Sequence, residues 1–330
     1  MLIKFFKSSF IIQYFVLVLL TAVIWLPGFL ASPGLPVDTS LITPLYNIAH
    51  YLLRMWEPSS PAVALAIVLI SAFTLNNILI FHDLTPKNNI LPAFIFILLM
   101  GSNPYSLGPY PIILALPFFT WFLHTIYKMN DEPENYMEVF NASILVSVIS
   151  MIYPIALILL VFIWLTFLVY GIFNGRNLII SLISALLPFL YLFLYYFWTD
   201  QIGIALSTYF DYFGNIFNFI MNREILQMLI WGIFAVLMLL PAFLRISGTL
   251  GSFNINFRKK MAATNWLMAF SLPLIIFHGS VNFNTLIFLP ASIMIAHYYQ
   301  LFKKSALNEI GLLIFLIMVI INNYLHFFNA

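Results

Sequence analysis

The residues best suited to chemistry in this chain lie between Asp38 and Glu57, directly after its first long apolar segment. The same stretch holds His50 and Arg54, although charged residues make up only 7% of the sequence. An arginine binds phosphate oxygens through forked hydrogen bonds, and a carboxylate beside it is able to act as a general base on a hydroxyl. These residue types, in an apolar surround, predict chemistry on a lipid-phosphate substrate.

A second polar stretch, residues 199–224, adds more groups of the same kind. If the two stretches face each other across one outward-facing cavity, its candidate lining is Asp38, His50, Arg54, Glu57, Asp200, Asp211, Arg223, Glu224, His278, Asn282 and Asn284. In this interpretation Asp38 is catalytic, and substrate is bound by Arg54, Arg223, His50, Glu57, Asp211 and His278. The alternatives are an Asx turn at Asp38 after Pro36, arginines that reach lipid headgroups, and turn-forming hydrogen bonds at His278.

Both polar stretches have the spacing of amphipathic helices. Thr43 and Pro44 suit the N-cap and first position of a helix. Polar residues then recur at helical spacing, opposite an apolar face: Asn47, His50, Arg54 and Glu57 against Leu45, Ile48, Ala49, Leu52 and Met55. The second stretch repeats the pattern, with Asp211, Asn215, Asn218 and Asn222 in one stripe and Phe210, Phe213, Phe217 and Ile220 in another. Each predicts a helix in the membrane surface with its polar stripe toward water. The alternative role is an interfacial anchor that packs the end of a bundle.

The elements that must position these groups are membrane helices. The 330-residue chain is 63% hydrophobic with a mean hydropathy of +1.03, more apolar surface than a soluble domain is able to hide. Hydropathy predicts an all-α polytopic transmembrane bundle of about eleven membrane segments: 10–31, 60–82, 90–101, 109–127, 138–152, 155–173, 178–198, 225–245, 264–279, 283–301 and 308–327. The first segment lacks a small-residue cleavage site, so we expect it to stay as a helix. Several segments are shorter than the ~20 residues of a span, and these must be buried or bent.

The distribution of basic residues predicts the orientation. With the N-terminus in the cytoplasm, eleven of the thirteen basic residues lie inside: Lys4, Lys7, Lys87, Lys128, Arg176, Arg245, Arg258, Lys259, Lys260, Lys303 and Lys304. Only Arg54 and Arg223 fall outside, as the positive-inside rule favours. Residues 1–330 are therefore predicted to form one integral domain of a bacterial inner membrane, with a periplasmic C-terminus. The run 128–140, with four carboxylates, is predicted to be a solvated cytoplasmic loop or a docking site for a partner.

Composition also argues against several functions. The absence of cysteine excludes disulfides and thiolate metal sites, and a net charge of +2 indicates no nucleic-acid partner. The topology puts His82, His124 and His297 toward the cytoplasm and His50, His278 and His326 toward the outside, and none are spaced to share a metal. We therefore expect neither a metal nor another cofactor. His124, one turn from Lys128, is expected to be a hydrogen-bonded packing residue.

The stretch "GFLASPGLPVDTSLITPLYNIAHYLLRMW", residues 28–56, resembles the first outer loop of GT-C-fold glycosyltransferases, which use polyprenyl-phosphate sugars. The resemblance places Asp38 at the family's catalytic acid, although Thr39 stands where the family often has a second acidic residue. Residues 141–171 resemble the family's short helix, Tyr-Pro turn and longer helix, which implies an outer turn at Tyr153 and Pro154. The resemblance also implies that the donor substrate is a lipid-linked sugar.

The chain as a whole is more similar to an uncharacterised multi-pass inner-membrane family of Bacteroidota. The shared features are the "YP" turn and the "GRN…LLPFLY" pattern, Gly175–Asn177 and Leu186–Tyr191 here. Such proteins are sometimes labelled carotene monooxygenases, a chemistry that the scattered histidines argue against. Three functions remain open: a GT-C-like glycosyltransferase at the periplasmic face, a non-catalytic envelope-assembly or scaffold protein with a protein partner, and a transporter or flippase of a lipid-linked substrate.

Overall fold

A computed structural model describes residues 2–31, 43–54, 60–103, 107–131, 135–215, 239–277, 284–301 and 306–328. All regular elements in this part of the chain are helical, as predicted. The α-helices are α1 Leu2–Phe6, α2 Ile11–Ala31, α3 Pro44–Arg54, α4 Ser60–Phe81, α5 Leu91–Gly101, α6 Pro111–Asp131, α7 Tyr136–Ile152, α8 Leu159–Tyr170, α9 Gly175–Trp198, α10 Ile202–Asn215, α11 Leu240–Thr249, α12 Ile255–Phe277, α13 Asn284–Leu301 and α14 Ala306–Phe328. Two 3-10 helices, Pro154–Ile158 and Leu250–Ser252, precede α8 and α12.

Local sequence explains several of these boundaries. Asn174 caps α9, because its side chain accepts a hydrogen bond of 2.7 Å from the backbone N–H of Asn177. Gly171 ends α8 in the left-handed region, at φ 75°, which glycine adopts without steric cost. The predicted cap at Thr43 is wrong: α3 does begin at Pro44, but the Thr43 hydroxyl is buried and makes no hydrogen bond within the described residues.

The centre of the bundle is α5, and every one of its eleven residues is buried. It packs against α13, α4, α2 and α14. A helix of eleven residues is about 16 Å long at ~1.5 Å per residue, well short of the ~30 Å hydrocarbon layer. The expectation that short segments are buried against neighbours is confirmed for α5.

Polar side chains satisfy the backbone groups at both ends of α5. At its C-terminus the Asn323 amide donates to the Gly101 carbonyl at 2.8 Å and to the Ile24 carbonyl at 3.4 Å. At its N-terminus the Asn89 side chain accepts from the Leu91 N–H at 2.9 Å. These bonds matter because a helix end leaves backbone groups that need partners when they are buried.

Four described helices are long and apolar enough to cross a membrane: Ile11–Leu30, Ser60–Phe81, Pro111–Asp131 and Gly175–Trp198. Five shorter apolar helices accompany them: Leu91–Gly101, Tyr136–Ile152, Pro154–Tyr170, Leu286–Leu301 and Asn308–Tyr324. These features are those of a helical membrane protein. The number of about eleven spans stays a prediction, and most of segment 225–245 lies outside the described residues.

Two predicted boundaries are wrong in an informative way. The segment expected to begin at 264 begins at Ile255, so Arg258, Lys259 and Lys260 lie on α12 rather than in a loop. A helix tolerates charged residues in its first turns when their side chains form hydrogen bonds or ion pairs, as Lys259 and Lys260 do. A hydropathy scan does not detect such turns, because it detects only apolar segments. The helix after the Tyr-Pro turn is also shorter than the one before it, because α7 has 17 residues and α8 has 12. Together with the five residues of the 3-10 helix directly before it, however, α8 makes a helical stretch, Pro154–Tyr170, as long as the 17 residues of α7, so the short-then-long pattern stays a prediction.

Candidate functional site

Most of the residues predicted to form the outer cavity lie where the structure gives no description of their side chains. Six positions are entirely outside the described residues, and in two others only the backbone is described. The first group is Asp38, Glu57, Arg223, Glu224, His278 and Asn282, and the second is Arg54 and Asn284. The predicted catalytic role of Asp38 and the phosphate contacts of the arginines therefore stay predictions.

His50 lies on α3, and its orientation corrects the predicted polar stripe. The ring is half-buried beside Tyr46, with 5.9 Å between ring centroids, and its Nε2 atom is buried without a hydrogen-bond partner among the described residues. Ile48 and Leu52 are 60% and 59% exposed. Nε2 of the imidazole is thus buried in the protein instead of lying in bulk water, whereas the apolar Ile48 and Leu52 are turned outward. Exposed apolar side chains of this kind are what a helix with one face toward lipid would have.

Asp211 and Asp200 lie on and directly before a second helix, α10. Asp211 is exposed on α10, and Asp200 is exposed in the turn after α9. α10 packs against α9, and α3 packs against α7. α7 and α9 are themselves close neighbours, joined by a hydrogen bond of 2.6 Å from the Ser147 hydroxyl to the Ala185 carbonyl. The two surface helices are therefore carried by adjacent helices of the bundle.

An apolar groove lies beneath α10. It has a volume of about 470 Å³, within the ~300–1,000 Å³ typical of ligand sites. Its walls come from the Pro154–Ile158 turn, α8, α9 and α10. The lining residues are Leu157, Leu160, Leu182, Ala185, Leu186, Phe189, Leu192, Phe193, Tyr196, Ile202, Ala205, Leu206 and Tyr209. Apart from two tyrosine hydroxyls, these side chains offer only hydrocarbon contacts.

Pro188 lies inside α9, between the groove-lining residues Leu186 and Phe189. A proline inside a helix has no N–H to donate to the preceding turn and it crowds the carbonyl four residues before it. The Ser184 hydroxyl donates a hydrogen bond of 2.6 Å to the Ile180 carbonyl, one turn earlier in the helix. α9 is also the least buried of the four candidate spanning helices. Its groove side is therefore beside the surface that a membrane protein turns toward lipid.

The two tyrosines give the groove a polar end. Tyr196 comes from the last turns of α9 and Tyr209 from α10, so both lie toward the surface helix. Burial, and secondarily the nearby Tyr196 hydroxyl, raises the pKa of Tyr209 to about 12. Tyr209 therefore stays a neutral hydroxyl at physiological pH, able to donate a hydrogen bond to an anion or a carbonyl.

A second polar site lies at the C-terminal end of α6. It consists of His82, His124, Asp131 and Lys260. We call it the Asp-His-His-Lys cluster. Asp131 Oδ2 accepts from Lys260 Nζ at 2.8 Å and lies 3.0 Å from His82 Nδ1. His82 Nε2 lies 3.1 Å from His124 Nδ1. Within the described residues no group of three or more metal-ligating side chains is arranged to hold a metal ion.

This cluster corrects the prediction for residues 128–140. Asp131 is the last residue of α6, and Glu138 is a buried residue of α7 that accepts a hydrogen bond of 3.0 Å from Lys128. Neither residue belongs to a solvated loop, because each one has a lysine partner on or beside a helix. Glu132 and Glu134 lie outside the described residues. The expectation that His124 is hydrogen-bonded is confirmed.

Comparison with protein-family models, with curated proteins and with solved structures gives no match. The groove and the cluster must therefore be interpreted from their own geometry. Sequence reasoning missed the groove because it has no motif, only mainly apolar residues on four elements. It missed the histidine pair because His82 and His124 are 42 residues apart and meet only when α4 packs against α6.

Proposed function

We propose that this protein acts on a lipid-linked substrate at the periplasmic face of a bacterial inner membrane. We further propose that the apolar groove holds the acyl or prenyl chain of that substrate. The observation that carries the proposal is the groove itself, about 470 Å³ of hydrocarbon-lined space that ends at Tyr196 and Tyr209 beneath α10. In the predicted orientation the C-terminal end of α9 and the helix α10 lie on the periplasmic side. The polar head would then lie at the same level as the predicted Asp38, Arg54 and Arg223 site.

The reaction type that fits this arrangement best is glycosyl transfer of the GT-C kind. A polyprenyl-phosphate sugar has a long apolar chain for the groove and a phosphate for arginines to bind. Asp38 acts as the general base that takes the proton from the acceptor hydroxyl as its oxygen attacks the sugar. The bond from the sugar to the phosphate then breaks, and the polyprenyl phosphate leaves as an anion that Arg54 and Arg223 stabilise. His50, half-buried on α3, is a further candidate for binding the head group.

The placement of the lipid chain is testable by photochemical labelling. The full-length protein would be reconstituted in lipid nanodiscs with a polyprenyl phosphate that carries a diazirine in its chain. We expect adducts within 182–196 and 202–209, and competition by unlabelled polyprenyl phosphate but not by a bulk phospholipid. Labelling spread over the exposed apolar faces of other helices, with no competition, would contradict the proposal.

Catalysis is tested separately with Asp38→Asn. The proposal predicts that this variant keeps its normal abundance and its photolabelling but loses transfer of the sugar, because a neutral amide is not a base. A variant that retains full transfer would remove Asp38 from the reaction. Retained activity together with stable co-purification of another membrane protein would favour the scaffold function instead.

A further inference from the structure

The Asp-His-His-Lys cluster connects two regions of the molecule with different surroundings. His82 follows the last residue of α4, and its side chain is 0% exposed. Asp131, at the end of α6, has a side chain that is 35% exposed. His124 is half-buried, and its ring contacts that of Phe81, which is 70% exposed. The buried imidazole of His82 therefore bridges one group that reaches polar surroundings and one that reaches an apolar surface.

The hydrogen bonds determine which nitrogen carries each proton. An ionised Asp131 only accepts, so the contact of 3.0 Å requires His82 to donate from Nδ1. Lys260 Nζ also lies 3.4 Å from this nitrogen, but its shorter contact, of 2.8 Å, is with Asp131 Oδ2. A neutral His82 then has a bare Nε2, which accepts from His124 Nδ1–H at 3.1 Å. Desolvation, followed by the charge of Lys260, lowers the pKa of His82 to about 4, which keeps this ring neutral near pH 7. His124 is consequently left with an unprotonated Nε2 that faces away from the cluster.

Other charged groups around the cluster are occupied by their own partners. Lys260 is 5% exposed along its side chain, and its ammonium group holds Asp131 Oδ2 at 2.8 Å. Lys259 donates to the Tyr170 carbonyl at 2.8 Å, and Lys128 donates to Glu138 at 3.0 Å. Tyr127 donates to or accepts from Thr264 at 2.7 Å, and the face of its ring packs near His82. Among the described residues, His124 is thus connected to Asp131 through His82, and Lys260 contacts both Asp131 Oδ2 and, at 3.4 Å, His82 Nδ1.

We propose that His124, His82 and Asp131 form a proton relay, which takes up a proton at His124 Nε2 and delivers one to the Asp131 carboxylate. As a proton binds His124 Nε2, the Nδ1–H bond of His124 breaks and its proton forms a bond to His82 Nε2. The Nδ1–H bond of His82 breaks in turn, and that proton forms an O–H bond at Asp131. Each ring ends neutral in its other tautomer, and one proton has moved from the apolar edge of the bundle to its polar end.

The geometry of the cluster fits transfer better than simple packing. Three groups linked in one direction by bonds of 3.0 and 3.1 Å need no movement of backbone for the protons to shift. Lys260 orients the terminal carboxylate without lying between the rings. In the predicted topology this end of the bundle faces the cytoplasm, at the opposite side from the proposed lipid-linked substrate. The relay is therefore a second site, independent of the proposed glycosyl transfer.

The first test requires no variant. Histidine labelled with ¹⁵N in the full-length protein in nanodiscs would be observed by long-range ¹H–¹⁵N correlation near neutral pH. We expect both His82 and His124 to carry their proton on Nδ1, which is the less common form for a free histidine side chain. A proton on Nε2 of either ring would overturn the relay, because the chain of donors would then point the wrong way.

The second test measures exchange of the His82 Nδ1 proton with deuterated water. A side chain with no exposure exchanges slowly unless the protein opens or a relay carries the proton, so Asp131→Asn should slow exchange roughly tenfold or more. Glu138→Gln is the matched control, since it neutralises a carboxylate at the same end that also pairs with a lysine, and it should leave the rate unchanged. The His297 ring, which packs against Phe253 and Phe257, reports that each variant is folded. Equal rates in the wild type and in a folded Asp131→Asn protein would overturn the proposal.

Discussion

At the scale of single residues, two carboxylates at the same end of the bundle are paired with lysines that differ in their exposure to solvent. Lys260, the partner of Asp131, is 5% exposed, whereas Lys128, the partner of Glu138, is 41% exposed. Removing Asp131 leaves a buried ammonium group without its counter-ion, whereas the ammonium of Lys128 has access to water. The burial of the cation, rather than of the carboxylate, therefore decides the cost of losing either pair.

We predict that Asp131→Asn lowers the free energy of unfolding by about 3 kcal/mol, the lower end of what breaking a buried ion pair costs. Glu138→Gln, with its partner partly solvated, should lower it by less than about 1 kcal/mol. Denaturant-induced unfolding of both variants in the same detergent measures the difference. Equal losses would mean that Lys260 finds another partner when Asp131 is gone.

The lowered pKa of His82 predicts how stability depends on pH. An unfolded histidine titrates near ~6.5, and His82 in the folded protein titrates at about 4. Between these values the unfolded chain binds more protons, so its population grows as the pH falls. The stabilising contribution of the neutral His82 is fully present above the unfolded value and is lost as the pH drops toward 4.

Thermal unfolding followed from pH 7 down to the acid range checks this, with His82→Gln as the comparison. Below pH ~6.5, the pKa of an unfolded histidine, the stability of the wild-type protein should fall more steeply with pH than that of the variant. Parallel curves would show that the folded His82 binds protons as easily as the unfolded one.

At the scale of elements, the sequence predicted the helices well and their ends less well. Pro44 is a local feature, so the start of α3 was predicted from the sequence. The segment predicted to run over 155–173 instead ends at Tyr170, where Gly171 terminates α8. The start of α12 was not predicted, because Arg258, Lys259 and Lys260 read as a loop until their partners are known. Lys259 bonds a carbonyl of α8 and Lys260 bonds α6, contacts that no window of neighbouring residues contains.

The contact between α2 and α5 at Gly101 also has a consequence for mutation. A Cβ atom placed on Gly101, the last residue of α5, would lie 2.5 Å from Cγ2 of Ile24 on α2. We predict that Gly101→Ala destabilises the protein by about 1–3 kcal/mol, as overpacking of a filled core does. Gly175→Ala is the matched control, because nothing lies within 4 Å of a Cβ there.

In the control, replacing the flexible glycine at the start of α9 should leave stability unchanged or slightly raised. Unfolding midpoints of the two variants, measured side by side in one detergent, are sufficient to compare them. A Gly101→Ala protein as stable as Gly175→Ala would mean that α2 and α5 separate easily, which the complete burial of α5 argues against.

At the scale of the whole molecule, the apolar composition predicted a helical membrane protein, and the four long apolar helices agree. The site could be predicted only in part. The position of the surface helix α3 follows from its amphipathic spacing, but the inward orientation of His50 depends on packing against α7. The groove depends on four elements, the Pro154–Ile158 turn, α8, α9 and α10, so it follows only from the way these elements pack together.

The central claim, that this groove holds the chain of a lipid-linked substrate, is tested most directly by measuring polyprenyl phosphate binding to two matched tryptophan variants. Leu186 and Leu190 both lie on α9 and are 62% and 52% exposed, but only Leu186 lines the groove. Leu186→Trp fills the space of the chain and should weaken binding about tenfold or more, whereas Leu190→Trp should stay within about twofold of the wild type. Equal affinity in all three proteins would contradict the account, because the lipid chain would then lie elsewhere.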